Sequence, residues 1–228
     1  MKALRTALRV VKDITISMGY VAFRAPGQIV HVPSWLWSLL GRTPLAKRKP
    51  MLPHEAIRWL DEHLTKDMSV FEFGSGASTL FFASRVGRLV SVEHHEFWHG
   101  FVQNTLDDLG FGHCEYLHAS PKSADGETDW GSLHRDYAGM DFFDYVNTIG
   151  AYPDHSFDLV LVDGRARICC LRRAIQKVRP GGYLLLDDTR RSEYDIADEI
   201  VPADCIVFTG IHPGSRDVGQ TKIWQMPV

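Results

Sequence analysis

Apolar residues in this chain follow two different spacings. From Met68 onward, short apolar runs alternate with stretches in which apolar residues recur every three to four positions. The runs are typical of buried strands and the wider spacing is typical of amphipathic helices. The predicted strands are 70–73, 89–92, 114–119, 157–162, 183–186, 205–209 and 221–226, and the predicted helices between them are 77–86, 96–109 and 168–178.

This alternation predicts an α/β fold: a doubly wound, Rossmann-like parallel sheet with right-handed crossovers. Pro180-Gly181-Gly182 is expected to end the third of these helices before the fifth strand. The last two strands are joined by the turn-rich segment 210–215, which predicts a C-terminal antiparallel hairpin at the sheet edge.

Two further helices are predicted upstream of the sheet, the first of them in an N-terminal helical extension. Residues 1–20 follow helical spacing, and 21–50 are expected to be irregular because proline and glycine interrupt them, although 34–40 is too apolar for a free linker. The second helix follows Pro53. The apolar stripes of the two helices are Leu4, Leu8, Val11 and Thr15 in the first, and Ala56, Ile57, Leu60 and Leu64 in the second.

Charge separates the same two regions. Residues 1–50 hold nine basic residues and one acid, a net charge of +8, whereas the remainder carries −11. We therefore divide the chain into a basic extension or lid, 1–52, and a Rossmann-like domain, 53–228, with an aromatic-rich insertion at 120–156. Extension and insertion are expected to cover the substrate side of the site. A weak membrane-surface contact through residues 1–20 is the alternative for the extension.

Composition narrows the functional classes. No apolar run is long enough to span a bilayer, no secretory signal pattern is present, and the four cysteines match neither a zinc pattern nor a simple disulfide framework, so a cytoplasmic protein is expected. The acidic body and the lack of an RNA-binding motif argue against a nucleic-acid partner. The oligomeric state is not readable from the sequence, and a homodimer is one arrangement it allows.

The most informative motif is the glycine loop Gly74-Ser75-Gly76, between the first predicted strand and the helix that opens with Ser78 and Thr79. Glycines allow a tight turn and close approach of a ligand. Glu72 suits a cationic ligand better than a pyrophosphate. Glu93 follows the second strand, where an acid hydrogen-bonds ribose hydroxyls. Thr79 stands where a dinucleotide fingerprint requires a third glycine.

The pattern Glu-x-Gly-x-Gly, with Asp158 to Gly164 and Pro180 to Asp188, resembles the class I S-adenosylmethionine-dependent methyltransferases over about residues 53–228. The resemblance implies S-adenosylmethionine as cofactor, with the methionine end held near Glu72 and the glycine loop, and the ribose held by Glu93. His94, Ala119 and Ser120 would border the adenosyl group. The implied cofactor-binding set is Glu72, Gly74, Ser75, Gly76, Ser78, Thr79, Glu93, His94, Ala119 and Ser120.

Asp163, Asp187 and Asp188 follow adjacent predicted strands and are candidate ligands of Mg²⁺. This arrangement resembles the metal-dependent O-methyltransferases of the catechol and macrolide-sugar type, although Ala166 replaces the lysine of the catechol-type enzymes. In the alternative, Asp163 acts alone as the catalytic base, while Asp187 and Asp188 pair with nearby arginines.

Arg165 and Arg167 are candidates to hold an anionic group of the substrate, or else to pair with these acids. The expected function is methyl transfer to a hydroxyl of a small molecule or glycan. The rivals are a non-catalytic S-adenosylmethionine-binding protein and an NAD(P)-dependent oxidoreductase, against which Glu72 and the absent third glycine argue.

Overall fold

The computed structural model describes residues 2–39, 45 and 48–228, with side chains from Thr6 onward. The predicted stripe residue Leu4 and positions 40–44 of the predicted irregular segment fall outside that description. The strands are β1 Ser69–Phe73, β2 Arg88–Glu93, β3 Cys114–His118, β4 Lys122–Ser123, β5 Met140–Asp141, β6 Phe157–Val162, β7 Val178–Asp187, β8 Cys205–Ile211 and β9 Val218–Gln225.

Some helices precede the first strand in the chain, and the others alternate with the strands. The α-helices are α1 Lys2–Phe23, α2 Val32–Ser38, α3 His54–His63, α4 Ala77–Ala83, α5 Glu96–Asp108, α6 Phe143–Asn147, α7 Arg167–Ala174 and α8 Ala197–Ile200. Short 3₁₀ helices occupy Pro26–His31, Arg135–Tyr137, Thr148–Ala151, Ile175–Lys177 and Ser192–Tyr194. Among the described residues, no helix combines the length and apolar character needed to cross a membrane.

Seven strands form the main sheet, in the order β3-β2-β1-β6-β7-β9-β8. The first five of these are parallel, whereas β9 runs antiparallel to both β7 and β8. The predicted Rossmann-like sheet and its C-terminal hairpin are confirmed. The chain order reverses between β1 and β6, and the crevice at the carboxyl ends of such strands is the usual ligand position in open α/β sheets.

Both faces of the sheet are buried. Phe71, Val90 and Val160 point into one core layer, and their neighbours Val70 and Leu89 point into the other. Helices α3, α4 and α5 cover the second layer, and α6, α7 and α8 cover the first. Burial on both faces explains why the strands read as continuous apolar runs rather than alternating ones.

The fifth predicted strand is longer than its apolar run. Strand β7 begins at Val178 and continues through Pro180-Gly181-Gly182, and its register with β6 shifts there. Gly181 has φ +73°, and a Cβ at Gly182 would lie 2.8 Å from the Asp158 carbonyl oxygen. The proline and glycines therefore form an irregularity inside a strand, and the prediction that the strand starts after them is wrong.

The prediction of an irregular segment at 21–50 is wrong for 26–38, which is helical. Pro26 and Pro33 stand in the first turns of their helices, where a missing backbone N–H costs little. Prolines that suggested breaks therefore mark helix starts.

This helical segment covers the free edge of β8. The Gln28 amide donates to the Thr209 carbonyl oxygen at 2.8 Å and accepts from the Ile211 N–H at 3.2 Å, as a neighbouring strand would. Gly210 leaves room, because a Cβ there would lie 2.3 Å from Gln28. Trp35 is fully buried nearby and donates its indole N–H to the Ser215 carbonyl oxygen. The extension thus protects an edge that could otherwise pair with another chain.

Helix α1 packs with a different face from the one its sequence suggested. Ser17 and Val21 are buried and Ile14 is partly buried against the body, whereas Leu8 and Val11 of the predicted apolar stripe are each 62% exposed. In α3 the predicted stripe is correct: Ala56, Ile57 and Leu60 are buried.

The insertion 120–156 is partly core. Its first half carries the small β4–β5 ladder, but Phe142, Tyr145, Val146 and Ile149 are all fully buried in the main apolar cluster. This second half is therefore an integral layer of the domain, and only the segment before it resembles a surface loop.

The loops after β1 and β6 touch through two glycines. Gly74 has φ +92°, and a Cβ added there would lie 2.5 Å from the Gly164 Cα. A Cβ at Gly164 would lie 2.0 Å from the hydroxyl oxygen of Tyr145, which is fully buried and cannot move aside. Glycine is thus required at Gly74 by the approach of the Gly164 backbone and at Gly164 by the buried Tyr145 hydroxyl.

Gly74→Ala should lower the free energy of unfolding by more than about 2 kcal/mol, because it adds both strain at positive φ and a backbone clash. Denaturant unfolding measures this. Gly100→Ala is the matched control: Gly100 lies in α5 with no atom within 4 Å of the added Cβ, so a gain of about 1 kcal/mol is expected. Equal stability of the Gly74 variant and the parent would show that the two loops do not need this contact.

Candidate functional site

Two cavities lie against the glycine loop at the carboxyl ends of β1, β2 and β6. The larger, about 410 Å³, is lined by Gly74, Ser75, Glu93, His94, His95, Phe97, Trp98, Tyr137, Asp163, Gly164 and Arg165. The smaller, about 230 Å³, is lined by Leu45, Met51, Ser75, Gly76, Ala77, Ser78, Trp98 and Asp163. Ser75, Trp98 and Asp163 line both, so the two cavities are neighbouring parts of one site.

The glycine loop is fixed from both ends. The Gly74 N–H donates to the Val92 carbonyl oxygen at 2.9 Å, which ties the loop to β2. At the start of α4, the Gly76 N–H donates to the Thr79 hydroxyl oxygen at 2.8 Å. Thr79 is fully buried and acts inside the loop, whereas Ser75, Gly76 and Ser78 reach a cavity wall.

Glu72 lies beneath the loop, fully buried, and is absent from the described walls of both cavities. Its Oε2 accepts hydrogen bonds from the hydroxyls of Thr79 and Ser91, each at 2.5 Å, while Oε1 has no partner. Burial raises the pKa of Glu72 to about 7, although the hydroxyls of Ser78, Ser91 and Thr79 oppose the shift. Glu72 was predicted to contact the ligand, but in the structure it lies beneath the glycine loop and reaches neither cavity.

Glu93 is the most strongly hydrogen-bonded carboxylate of the larger cavity. One oxygen accepts from the backbone N–H groups of His94 and His95, at 2.9 and 2.8 Å. The other accepts from the Ser75 N–H at 3.0 Å and the Ser75 hydroxyl at 3.1 Å. Burial by itself would raise the pKa of Glu93, but the interactions with His94, His95 and Ser75 outweigh it and lower the pKa, which keeps the carboxylate ionised.

His94 connects Glu93 to the insertion. Its Nδ1 lies 2.8 Å from Glu93 Oε1, and its Nε2 lies 2.8 Å from the hydroxyl oxygen of Tyr137. Ala119 and Ser120 contact the same strand end, through the Ala119 N–H to the Glu93 carbonyl oxygen and the Ser120 hydroxyl to the His94 carbonyl oxygen. Neither is among the described residues that line the two cavities.

Several residues that line the two cavities were not predicted as site residues, because they belong to no recognisable sequence motif. Phe97 and Trp98 lie in the first turn of α5, which His95 caps by accepting the Trp98 N–H. The Trp98 indole donates to the Ser75 carbonyl oxygen at 2.9 Å, across the glycine loop. Leu45 and Met51 come from the N-terminal extension. The position of α5 directly after Glu93 was the one available signal, because loops after parallel strands share an edge of the sheet.

Arg167 binds the protein itself, in the manner of the alternative in which it pairs with the nearby acids rather than with substrate. It is 6% exposed, and its guanidinium donates to the carbonyl oxygens of Gly164, Asp187 and Asp163 at 3.1, 2.6 and 3.1 Å. It also pairs with the Asp163 and Asp188 carboxylates at 2.9 and 3.3 Å. Each of its three guanidinium nitrogens donates to residues at the carboxyl ends of β6 and β7.

The predicted divalent-metal set does not fit this geometry. The Arg167 guanidinium stands between Asp163 and Asp188, Asp188 also pairs with Arg191 at 2.8 Å, and Asp187 accepts from the Thr221 hydroxyl at 2.6 Å. Within the described part of the chain, no group of three or more acids, histidines or cysteines is arranged to hold a metal ion. The Arg167 guanidinium supplies the positive charge that a divalent metal ion would otherwise bring to these carboxylates.

Asp163 differs from its acidic neighbours in reaching both cavities. Its side chain is 24% exposed, and only one of its oxygens pairs with Arg167. Burial raises its pKa well above the ordinary value, and the nearby Asp187 carboxylate adds to the rise while Arg167 opposes it. Burial likewise raises the pKa of Asp187 to about 6. Asp163 is thus a carboxylate of raised proton affinity at the junction of the cavities.

Arg165 keeps a cationic group on the wall of the larger cavity. Its guanidinium carbon lies 5.4 Å from the centre of the Tyr137 ring, and none of the ion pairs among the described residues includes it. Its Nε is buried without a hydrogen-bond partner. Arg165, unlike Arg167, therefore retains donors for a ligand.

A larger cavity, about 800 Å³, lies elsewhere, between α3 and the β7–β9–β8 edge. Trp59, Tyr183 and Cys205 are among its walls. It includes no residue of the glycine loop and none of the predicted site residues. This cavity is larger than either cavity at the glycine loop. The candidate site is nevertheless the pair at the glycine loop, because several predicted ligand-binding residues line those two cavities.

No protein-family model and no curated protein matches this chain. Solved structures do match its fold. An rRNA methylase from Streptococcus thermophilus is 12% identical, with a TM-score of 0.51 over 76% of this chain and 95% of that one. A proposed methyltransferase from Streptococcus mutans, in complex with SAH, is 11% identical, with a TM-score of 0.54 over 76% and 98%.

The tRNA (m1A58) methyltransferase of Aquifex aeolicus is 16% identical, with a TM-score of 0.53 over 82% of this chain and 73% of that one. At such identities the likeness concerns the fold and leaves the acceptor open. The seven-stranded sheet with its terminal hairpin is therefore the fold of the class I S-adenosylmethionine-dependent methyltransferases.

Proposed function

We propose that this chain is an S-adenosylmethionine-dependent methyltransferase that methylates a hydroxyl of a small molecule or glycan. The observation that carries the proposal is the pair of cavities that share Ser75 and Asp163 along the glycine loop, with Glu93 on the wall of the larger one only. Their volumes lie near or below the low end of the range of small-molecule sites, and two neighbouring cavities suit a ligand with two parts, a nucleoside and an amino acid.

The larger cavity suits the adenosyl end of the cofactor. Glu93 is ionised and held in place by backbone N–H groups, which suits a group that accepts a ribose hydroxyl. The Ser75 hydroxyl now shares Glu93 Oε2 with the backbone, and it also lies 2.6 Å from the Tyr116 hydroxyl. It can therefore turn to Tyr116 and release an acceptor position on Glu93 to a ribose hydroxyl without losing its own partner.

The smaller cavity suits the methionine end. It is bordered by Gly76, Ala77 and Ser78, and Glu72 lies just below this turn with a buried, unpartnered oxygen. An ammonium group bound above would favour the ionised form of Glu72 through the loop, because opposite charges lower a carboxyl pKa. Glu72 thus acts on the ligand by charge, and Thr79 and Ser91 hold it in place.

Bound S-adenosylmethionine would supply an electrophilic methyl group on its sulfonium. The chain itself must align an acceptor hydroxyl and accept its proton. Asp163 is the proposed proton acceptor. As the new oxygen–methyl bond forms and the sulfur–methyl bond breaks, its free oxygen takes the hydroxyl proton. Its raised proton affinity makes it a stronger base than an ordinary aspartate, and Arg167 holds it in one orientation.

Arg165 and the insertion are proposed to select the acceptor. Arg165 and Tyr137 line the same wall, where a guanidinium and an aromatic ring can bind an anionic group and a sugar face. Leu45 and Met51 of the extension close the smaller cavity. A nucleic-acid acceptor is disfavoured because residues 51–228 carry −11.

The direct test is incubation with methyl-labelled S-adenosylmethionine and a whole-cell extract that contains both RNA and small molecules, followed by fractionation of labelled product. Label in a low-molecular-weight fraction supports the proposal, and label confined to RNA refutes the acceptor class. Calorimetric binding of S-adenosylhomocysteine without any turnover would favour the non-catalytic alternative. Tight NADH binding instead would refute the cofactor.

Glu93→Ala should weaken S-adenosylhomocysteine binding by about 10- to 100-fold, because a charged hydrogen-bond acceptor is worth about 1.5–3 kcal/mol. Isothermal titration calorimetry gives the affinity. Exposed Glu127 in the insertion provides the matched control, since Glu127→Ala removes the same charge away from the cavities. Unchanged affinity in Glu93→Ala would remove its ribose role.

Glu72→Gln should flatten the dependence of stability on pH. The pKa of Glu72 is about 7 in the folded protein and 4.5 without burial, so folding favours the protonated form, and this contribution is lost as pH rises through 7. The loss amounts to about 3 kcal/mol. Free energies of unfolding measured from pH 4 to 8 should fall less steeply in the variant. An identical pH slope would mean that Glu72 is ionised throughout.

Asp163→Asn should reduce methyl transfer by about 10²- to 10⁴-fold while changing cofactor affinity only a few-fold, because a general base is lost and the shape is kept. The rate is measured in excess chelator, where the parent enzyme is expected to remain active. Its fall in rate at low pH should also disappear in the variant. A parent enzyme that stops in chelator, or a variant with full rate, would contradict the assignment of Asp163.

A further inference from the structure

Helix α1 carries a second apolar stripe that faces away from the body. Leu8 and Val11 are each 62% exposed and Met18 is 37% exposed, and with Thr15 they follow one helical face. The opposite face, with Ser17 and Val21, is already packed on the hairpin β8–β9, where the Ser17 hydroxyl donates to the Arg216 carbonyl oxygen at 2.6 Å. The helix is therefore docked to the protein on one side and apolar on the other.

Exposed apolar side chains are concentrated in this part of the molecule. Of the eighteen large hydrophobic residues that are exposed among those described, nine lie between residues 8 and 37. They include Phe23 at 88%, Val30 at 72% and Trp37 at 58%. Scattered exposed apolar residues need no explanation, but such density marks an interaction surface.

The charge of the same segment indicates the chemistry of its partner. Residues 1–50 carry +8 and the rest of the chain −11. Lys12 lies one turn from Leu8 and is exposed, and the exposed Arg9 precedes it. A helix that pairs an apolar stripe with basic residues is suited to the headgroup region of an anionic bilayer, where both features contribute.

We propose that the outward face of α1, defined by Leu8, Val11, Thr15 and Met18, docks on an anionic membrane surface with the helix parallel to it. Charge also argues against a second copy of this chain as the occupant, because a symmetric pairing would bring two segments of +8 together. The acidic body would be repelled by the same lipids, which orients it outward. The proposal is independent of the methyl-transfer assignment.

The test is co-sedimentation of the full chain with vesicles of phosphatidylcholine containing phosphatidylglycerol, compared with phosphatidylcholine alone. Binding is expected only to the anionic vesicles, and raised ionic strength should weaken it. The double variant Leu8→Ser/Val11→Ser should reduce the bound fraction by roughly tenfold or more, because the inserted apolar area is lost. Lys12→Glu should reduce it without changing the apolar stripe.

The matched control is Leu133→Ser/Ile206→Ser, which removes two exposed apolar residues elsewhere, at 63% and 49% exposure, and should bind vesicles as the parent does. Circular dichroism confirms that each variant is folded. Absence of binding to anionic vesicles would overturn the proposal. So would light scattering that shows a dimer of the parent and a monomer of the Leu8/Val11 variant, since the stripe would then be an interface between copies.

Discussion

The contact between Gly74 and Gly164 is the constraint on which the rest of the site depends. It brings the loops after β1 and β6 to backbone contact, at a distance that no side chain on Gly74 would allow, while the Tyr145 hydroxyl excludes a side chain on Gly164. Ser75 and Asp163, the immediate neighbours of these glycines, consequently line both cavities. Ser75, proposed to contact the cofactor, follows Gly74 in the chain, and Asp163, the proposed base, precedes Gly164. The contact between the two glycines therefore positions both residues at the same place.

Arg167 is what permits three carboxylates to lie at neighbouring strand ends. Without a cation, the burial of Asp163 beside Asp187 would be strongly unfavourable, and the raised pKa of both groups shows part of that cost. The guanidinium compensates it and bonds carbonyl oxygens of both loops. Ala166 and Asp188 adopt positive φ on either side, so the network holds residues that would not take this conformation alone.

The parallel sheet, the hairpin and the glycine loop were predictable because they follow from local patterns: apolar runs, turn residues and an acid after β2. The choice between the two roles of Arg167 was not, since its partners Asp187 and Asp188 lie about twenty residues away and are indistinguishable in sequence from metal ligands. Whether the apolar stripe of α1 faces the protein or faces outward was undecided for a related reason. Helical spacing identifies an apolar face, but Gln28 and Trp35, which dock the extension, determine which face meets the protein.

The way the extension is anchored links the sheet edge to the site. Gln28 and Trp35 fix the extension to β8 and to the turn after it, and the same extension continues to Leu45 and Met51 on the wall of the smaller cavity. A segment held at the sheet edge by directional hydrogen bonds cannot shift without unpairing Thr209 and Ile211 at that edge. The same hydrogen bonds hold the helices that follow α1 on the sheet edge, so the apolar face left on α1 is presented from an anchored segment.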